Sequence, residues 1–291
     1  MKILSFDVGG TKVAYALVDE QGSFLTQRKT VPTPDNLDEL KCLFTDVIHD
    51  HDHEIDAVSF ATAGAVDADN THIVSSAHNM PAGYHHLDFA SLSSKPVIVE
   101  NDANAVAWAE HCAGAAMNCA NAIIVAIGTG LGLGIIVDGK ILKGKSGAAG
   151  EAHYPIDRGH KRLCGCGSYD CFEIYASGKA LAMDAQEAFN NPQMTSHDLI
   201  KLKQENNAAA QQVFDSWCDD IIAGLRSLAT LFDPEVIVLF GSLVAFLDEQ
   251  KMETKANDNL VVPSFRLKKA RFGNDAALVG AALLAVNKLG K

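Results

Sequence analysis

The amino-acid sequence predicts an α/β protein of two lobes, each with a mixed sheet and flanking helices. The chain has 291 residues, which is long for one compact domain and favours two. Apolar runs of strand length alternate with helical patterns. One pattern also occurs twice, about 120 residues apart: an apolar strand, a glycine-rich turn with a threonine, and a second apolar strand. The two copies are FDVGGTKVAYALVDEQG and VAIGTGLGLGIIVDGK.

In the first half, strands and helices follow from hydrophobic periodicity and from the residues at their ends. Asp35 or Asn36 can cap the first helix. The strand PVIVE runs directly into the helical stretch DANAVAWAEHCA. The predicted strands lie at about 2–8, 13–19, 23–30, 55–61 and 96–100, and the predicted helices at about 36–50 and 102–113.

The second half begins with the strand NAIIVAI at 121–127, followed by two short strands, LGIIVDG and KILKG. A long amphipathic helix at 206–232 ends at Asp233-Pro234, because proline stops a helix. The strand EVIVLFG and a terminal helix at about 275–288 complete the chain. We divide it into a smaller lobe (1–116) and a larger one (117–274), and the terminal segment 275–291 could pack on the smaller lobe.

Composition narrows the class of protein. With 48% hydrophobic and 21% charged residues, the chain is typical of a soluble globular protein. The net charge of −12 argues against a nucleic-acid surface, which needs clustered Lys and Arg. No apolar run reaches the ~20 residues of a membrane span, and no signal peptide is expected. Of the seven cysteines, four are scattered singly, which suits a reducing cytoplasm.

Both glycine turns suit phosphate binding, because glycine lets backbone N–H groups approach phosphate oxygens without a Cβ in the way. Each turn alone is weak evidence, since a glycine turn in a hairpin is usually only a hairpin. A dinucleotide fingerprint is not expected, because a strand rather than a helix follows GTGLG. The turn residues are Gly9, Gly10, Thr11 and Lys12 in the first copy and Thr129, Gly130 and Gly132 in the second.

Two carboxylates accompany these turns. Asp7 ends the first strand, where it could hold Mg²⁺ through water, although it could equally be an ordinary turn residue. Asp102 opens the helix after PVIVE, where it could be the N-cap or a general base that accepts a proton from a bound hydroxyl. Mg²⁺ and Lys12 would offset the charge that phosphoryl transfer develops.

At these positions the sequence resembles the ROK sugar kinases of the actin-like ATPase superfamily, over nearly the whole chain. The segments that carry the resemblance are DVGGTK (7–12), ENDANAVAWAE (100–110), IGTGLGLGI (127–135), GAAGE (147–151), CGCGSYDCFE (164–173) and VIVLFGS (236–242). The resemblance implies two actin-like, ribonuclease H-like lobes around a cleft in which ATP phosphorylates a hexose hydroxyl.

It also implies a role for each site residue. Asp102 would be the base, and Asp7 would hold Mg²⁺. Nucleotide contacts are implied for the two glycine turns, Asp7 and Gly241. Sugar contacts are implied for Gly64, Asn79, Asn101, Asp102, Glu151, His153 and Glu173. The resemblance further implies a cytoplasmic homodimer that binds ATP and a small sugar, with no nucleic-acid or membrane partner.

Three clustered cysteines, Cys164, Cys166 and Cys171, would bind structural Zn²⁺ according to the same resemblance. The family's fourth ligand is a histidine, and Tyr154 stands at its position in this chain. His153 could ligate after a one-residue shift, His160 could substitute, or the thiols could hold no metal. We predict zinc bound by His153 and the three cysteines.

The sugar is inferred from small departures. Glucose-specific relatives usually carry a proline before the glycine of the segment that reads FATAGAVD here, where Ala63 precedes Gly64. This feature and NDANAVAWAE favour N-acetylmannosamine, phosphorylated to its 6-phosphate, ahead of N-acetylglucosamine or glucose. The neighbouring His78, His85 and His86 are expected to be surface residues rather than metal ligands. A non-catalytic sugar sensor is the alternative from another class, but Asp102 is retained.

Overall fold

The structure is a computed structural model that describes residues 1–75, 80–156 and 162–290. Its contacts group the chain into two compact units. The first unit comprises Met1–Asn118, Gly134–Gly150 and Arg271–Lys291, and the second comprises Cys119–Leu133 and Glu151–Ala270. The segment Gly134–Gly150 therefore belongs to the first unit, although the second unit begins before it in the sequence. No helix within the described ranges is long and apolar enough to cross a membrane.

Ten strands form two five-stranded sheets in the described chain. The strands are β1 (Lys2–Val8), β2 (Lys12–Asp19), β3 (Lys29–Pro32), β4 (Ala57–Thr62), β5 (Val97–Asn101), β6 (Ala122–Ile127), β7 (Leu131–Val137), β8 (Lys140–Ile141), β9 (Val236–Phe240) and β10 (Arg266–Lys269). The sheet orders are β3-β2-β1-β4-β5 and β10-β9-β6-β7-β8. Both sheets combine parallel and antiparallel pairs, so the predicted mixed α/β architecture is confirmed.

Eight α-helices accompany the sheets in the described residues. They are α1 (Leu37–His51), α2 (Asp102–Ala113), α3 (Glu173–Ala176), α4 (Gly178–Ala188), α5 (Ser196–Gln204), α6 (Ala208–Phe232), α7 (Glu249–Asn257) and α8 (Ala276–Leu289). Asn36 caps α1 by accepting a hydrogen bond from Glu39 N, as one of the two predicted caps. The end of α6 at Phe232, before Asp233-Pro234, also agrees with the sequence.

The predicted third strand, 23–30, is wrong in its bounds. The structure places β3 at Lys29–Pro32, paired antiparallel with β2. Phe24 makes only an isolated bridge to Val18. Leu17 N donates to Thr26 Oγ1 rather than to a backbone carbonyl, and this side-chain acceptor interrupts the ladder.

In the first unit, the core lies between the sheet and α1 on one face and between the sheet and α8 on the other. Phe6 and Phe60 stack with ring centroids 4.8 Å apart, and α8 packs against α2. At that crossing a Cβ on Gly280 would lie 1.7 Å from Ala105 O. Only glycine therefore allows α8 to approach α2, whose first turn carries Asp102.

In the second unit, α6 packs against α3, α4, α5 and α7. Its Trp217 is fully buried and donates from Nε1 to Ser177 O, which holds α6 to the start of α4. The parallel strands β6 and β9 end side by side. Ligand sites in open α/β sheets form at the carboxyl ends of parallel strands, and the second glycine turn follows β6 directly.

Candidate active site

The first glycine turn closes the β1–β2 hairpin of the first unit. Gly9 N donates to Lys12 O at 3.0 Å, and Thr33 Oγ1 donates to Gly9 O at 2.6 Å. Gly10, Thr11 and Lys12 are exposed. The turn is thus fastened at its base while its tip presents backbone N–H groups, a hydroxyl and an ammonium to solvent, which suits an anion.

Asp7 and Asp102 lie in the same unit and influence each other. Burial raises the pKa of Asp7 to about 6, and the charge of Asp102 adds to that rise, whereas Lys12 and Arg28 oppose it. A cation bound beside Asp7 would stabilise the charged form of this carboxyl. Asp7 lies near the end of β1, directly before the glycine turn, and a carboxylate is a ligand type that Mg²⁺ takes in proteins.

The corner between β5 and α2 carries Asn101 and Asp102. Asn101 is the N-cap of α2, because its Oδ1 accepts from Asn104 N at 3.1 Å. The alternative in which Asp102 is the N-cap is thus wrong: Asp102 is the first residue of the helix. Its Oδ1 accepts from the adjacent Ala103 N, and its side chain is exposed. Because Asn101 provides the cap, the side chain of Asp102 does not cap α2.

Asn101 also connects this corner to the predicted sugar-reading segment. Its Nδ2 donates to Gly64 O at 3.1 Å. Gly64 has a φ of +95°, a conformation that side chains rarely adopt. The structure therefore brings together three of the predicted sugar residues: Gly64, Asn101 and Asp102. Asn79, the fourth predicted sugar residue of this part of the chain, lies outside the described residues, as does His78.

Tyr84 is a neighbour of this site that the sequence did not reveal. It is almost fully buried, and its hydroxyl lies 2.7 Å from Thr62 Oγ1 at the end of β4. Burial raises the pKa of Tyr84, and the charge of Asp102 adds to the rise. The neutral hydroxyl thus contacts the end of β4, where Thr62 pairs with Asn101 of the β5–α2 corner. Nothing in the sequence distinguishes Tyr84 from any other buried aromatic residue.

The second glycine turn is held in the second unit by the start of α4 and by Glu173. Gly128 O accepts from Gly178 N at 2.8 Å, and Thr129 O accepts from Lys179 N. Glu173 Oε2 accepts from Leu131 N at 3.0 Å, and a Cβ on Gly130 would lie 2.7 Å from that oxygen. Glu173, predicted to contact sugar, thus also braces the turn that is predicted to contact phosphate.

Gly241 follows β9 next to this turn. Its φ is +128° and its ψ is 162°, and a Cβ there would lie 2.0 Å from Ile127 O. Only glycine adopts this backbone conformation without strain. Gly241 therefore sets how closely the ends of β6 and β9 approach each other. The second glycine turn begins directly after this end of β6.

Four side chains of the second unit converge as the sequence predicted. The ligand atoms of His153, Cys164, Cys166 and Cys171 all lie within 4.8 Å of one another. Cys166 Sγ is 3.4 Å from Cys171 Sγ, and Cys164 Sγ is 3.8 Å from His153 Nδ1. In a tetrahedral zinc site with bonds of ~2.3 Å, two sulfurs lie about 3.8 Å apart. The cluster therefore has the spacing and the donor types of a Cys₃His zinc site.

His153 faces both the thiols and the predicted sugar carboxylate. Its Nε2 lies 3.8 Å from Glu151 Oε2, on the opposite side of the ring from Nδ1. Ligating histidines usually present their second nitrogen to a carboxylate or carbonyl, which fixes the ring. His153 is thus placed to connect the cysteine cluster to Glu151. His160, the alternative ligand, lies outside the described residues.

The structure accounts for the positions of Tyr154 and Asp170, which flank the cysteine cluster. Tyr154 points away from the thiols: its ring packs on Phe172, and its hydroxyl donates to Gly224 O on α6 at 3.0 Å. Asp170, directly before Cys171, has a φ of +58°. Its Oδ1 accepts from Arg162 N at 2.8 Å and from Tyr175 Oη at 2.6 Å, and these bonds stabilise the left-handed conformation.

Solved structures of similar fold define the class of this protein. A ROK family glucokinase from Streptomyces griseus, solved in complex with glucose and AMPPNP, matches with a TM-score of 0.82 and 29% identity. The match covers 98% of this chain and 99% of that one. With its two five-stranded mixed sheets and two glycine turns, the chain is an ATP-dependent sugar kinase of the actin-like ATPase fold.

The ROK family model matches residues 3–288, and the chain belongs to the ROK family. Glucokinase from Streptomyces coelicolor is 35% identical over 319 aligned residues, covering 97% of this chain and 96% of that protein. N-acetylmannosamine kinase from Yersinia pestis is 29% identical over 294 aligned residues, covering 99% of each. Both kinds of sugar kinase named here are among those that the sequence predicted.

Proposed function

We propose that this sugar kinase transfers the γ-phosphoryl group of ATP to the 6-hydroxyl of N-acetylmannosamine. The observation that carries the proposal is the β5–α2 corner, where Asn101 takes the capping role and contacts Gly64 while Asp102 stays exposed. A carboxylate at a fixed helix start can accept the hydroxyl proton as the phosphoryl group leaves ATP.

The other residues would position the two substrates and neutralise negative charge, and these two effects supply most of the acceleration in phosphoryl transfer. The turn at Gly9–Lys12 and the turn at Thr129–Gly132 would hold phosphates through backbone N–H groups. Asp7 would hold Mg²⁺ through water, and the ion would offset the negative charge of the phosphates. Asn101, Glu151 and Glu173 would bind sugar hydroxyls, and Gly241 would lie beside the adenosine.

Two features support N-acetylmannosamine as the sugar. Ala63 precedes Gly64 where glucose-specific relatives usually carry proline, and the Yersinia pestis N-acetylmannosamine kinase matches end to end, covering 99% of both chains. Glucose is the second candidate, because the Streptomyces coelicolor glucokinase shares the higher identity of 35%.

ADP release should separate the two candidates. We expect kcat/KM for N-acetylmannosamine to exceed the values for N-acetylglucosamine, glucose, mannose, fructose and allose in a coupled assay. A higher value for glucose would make this chain a glucokinase and overturn the substrate assignment. Turnover with none of these sugars, despite measurable sugar binding, would favour a non-catalytic sensor instead.

We also propose that His153, Cys164, Cys166 and Cys171 hold a structural Zn²⁺. Neighbouring N–H and S–H groups, above all Ser168 N, lower the pKa of Cys166 to about 7, whereas burial raises the pKa of Cys171 to about 12. Such different thiols all become thiolate ligands only when a cation compensates their charge. The ion would fix the segment that carries Glu151 and the start of α3 that carries Glu173.

Metal analysis of protein purified without a polyhistidine tag tests this proposal. We expect about one zinc per chain. His153→Ala should reduce the zinc content and raise the sugar KM, because Glu151 loses its neighbour. Cys218→Ser, a cysteine on α6 outside the cluster, is the matched control. Zinc far below one per chain in the parent protein would contradict the site.

The homodimer stays a prediction that light scattering can check.

A further inference from the structure

Lys143 is a largely buried lysine that the proposed chemistry does not use. It lies in the first unit, after β8, and only 12% of its side chain is exposed. Its Nζ is 3.0 Å from Glu100 Oε2 and donates to Asp67 O at 2.7 Å. An ammonium with so little exposure, paired with a fully buried carboxylate, is costly unless the two charges match. The role of Lys143 is therefore determined by its ion-pair partner, Glu100, rather than by contact with solvent.

The partner, Glu100, is 1% exposed and is the last buried residue before the catalytic corner. Oε2 accepts from Asn70 Nδ2 at 2.8 Å in addition to Lys143. Oε1 accepts from Asn101 N at 2.8 Å and from Asn104 Nδ2 at 3.2 Å. All four lone-pair positions of an ionised carboxylate are thus occupied, which fixes its orientation.

These bonds connect Lys143 to the two residues that bind sugar and accept the proton. Glu100 Oε1 fixes the backbone N–H of Asn101, and Asn101 in turn caps α2 and contacts Gly64. Asp102 follows at the first position of the helix. Lys143 also holds Asp67 O, and Asp67 closes its own loop by accepting from Thr71 N and His72 N. One ammonium therefore fastens the corner to the loop that follows Gly64.

We propose that Lys143 is a positioning residue for phosphoryl transfer: its ion pair with Glu100 sets the placement of Asn101 and Asp102. The inference rests on the proposed function, in which Asp102 is the base. Removing the ammonium would leave Glu100 buried without its counterion, so that carboxylate would turn or take up a proton. Asn101 N would then lose a fixed acceptor, and the base would shift relative to the sugar.

Steady-state kinetics of Lys143→Met test the proposal, with Lys140→Met as a matched control at an exposed lysine of β8. A base displaced by about 1 Å costs on the order of 100-fold in rate. We expect kcat to fall about 10- to 100-fold, the sugar KM to rise, and the MgATP KM to stay unchanged, because the glycine turn is built by other bonds. Lys143→Arg, which keeps the charge, should recover most of kcat.

Stability is measured on the same proteins to separate positioning from folding. A kcat for Lys143→Met within twofold of the parent value, at a temperature where both are folded, would overturn the proposal even if Tm fell. If Lys143→Met does not fold, Glu100→Gln removes the ion pair while keeping the side-chain volume. Its kcat should fall similarly, and an unchanged kcat would equally count against the proposal.

Hydrogen exchange makes the inference independent of the proposed activity. Amides of the segment 100–104 should exchange faster in Lys143→Met than in Lys140→Met. If exchange is faster in Lys143→Met but the parent protein phosphorylates none of the sugars, then the proposed function is wrong and the role of Lys143 at this corner stands. Unchanged exchange would show that Lys143 does not hold the corner.

Discussion

Asp102→Asn should lose between 10² and 10⁴ in kcat, which is the usual contribution of a positioned general base. The substitution keeps the size of the side chain and its contact with Ala103 N, but an amide does not accept the hydroxyl proton. Sugar binding should survive, because Asn101 and Gly64 are untouched. Calorimetry should therefore give a sugar Kd close to that of the parent protein, while a coupled ADP assay shows the loss of turnover.

The control for this variant is Asp46→Asn, an exposed aspartate on α1 of the same unit, which should leave kcat unchanged. Loss of Asp102 also removes a favourable charge from the first turn of α2, worth roughly 0.3–1 kcal/mol, so Tm should change little. Full turnover in Asp102→Asn would contradict the assignment of the base. Loss of sugar binding together with turnover would show that Asp102 acts mainly in binding.

Gly241→Ala should impair nucleotide binding and stability together. An alanine at a φ of +128° and a ψ of 162° costs roughly 1–3 kcal/mol in backbone strain. The new Cβ would also lie 2.0 Å from Ile127 O, so the ends of β6 and β9 must separate. We expect the MgATP KM to rise at least about tenfold, equivalent to ~1.4 kcal/mol, and Tm to fall by several degrees. Differential scanning calorimetry and ATP titration measure the two effects.

Gly273→Ala separates the two causes. Gly273 also has a positive φ, +53°, but nothing lies within 4 Å of its added Cβ. It should therefore lose some stability from backbone strain while the MgATP KM stays unchanged. Equal changes of the MgATP KM in both glycine variants would mean that Gly241 acts through general stability rather than through the ends of β6 and β9.

Local patterns in the sequence were sufficient to predict most of the strands and helices. Alternating apolar residues and glycine turns predicted β1, β2, β4, β5, β6 and β9, and Pro234 predicted the end of α6. Hydrophobic periodicity predicts these elements because the apolar residues that form the pattern are the ones that pack in the core. The third strand was misplaced, since the side chain of Thr26 takes a backbone N–H that no propensity indicates.

The candidate site was predictable wherever its residues adjoin a glycine turn or a strand end. Asp7 and Asp102 were singled out in this way, whereas Asn101 and the set of His153 with three cysteines came from the family resemblance. The ligand atoms of that set lie close together in the structure. Which residue caps α2 was not predictable, because Asn101 and Asp102 are both good N-caps. Backbone geometry at the β5–α2 corner decides it, and the cap falls on Asn101.

By itself, the sequence determined the two-lobed α/β architecture, the glycine turns and the family to which the chain belongs. Only the tertiary structure placed the segment Gly134–Gly150 in the first unit, paired Lys143 with Glu100, turned Tyr154 towards α6 and attached Glu173 to Leu131 N. The physical reason is the distance along the chain between the interacting residues. Turns and strands depend on neighbours along the chain, whereas a buried charge or hydroxyl finds its partner through packing between distant segments.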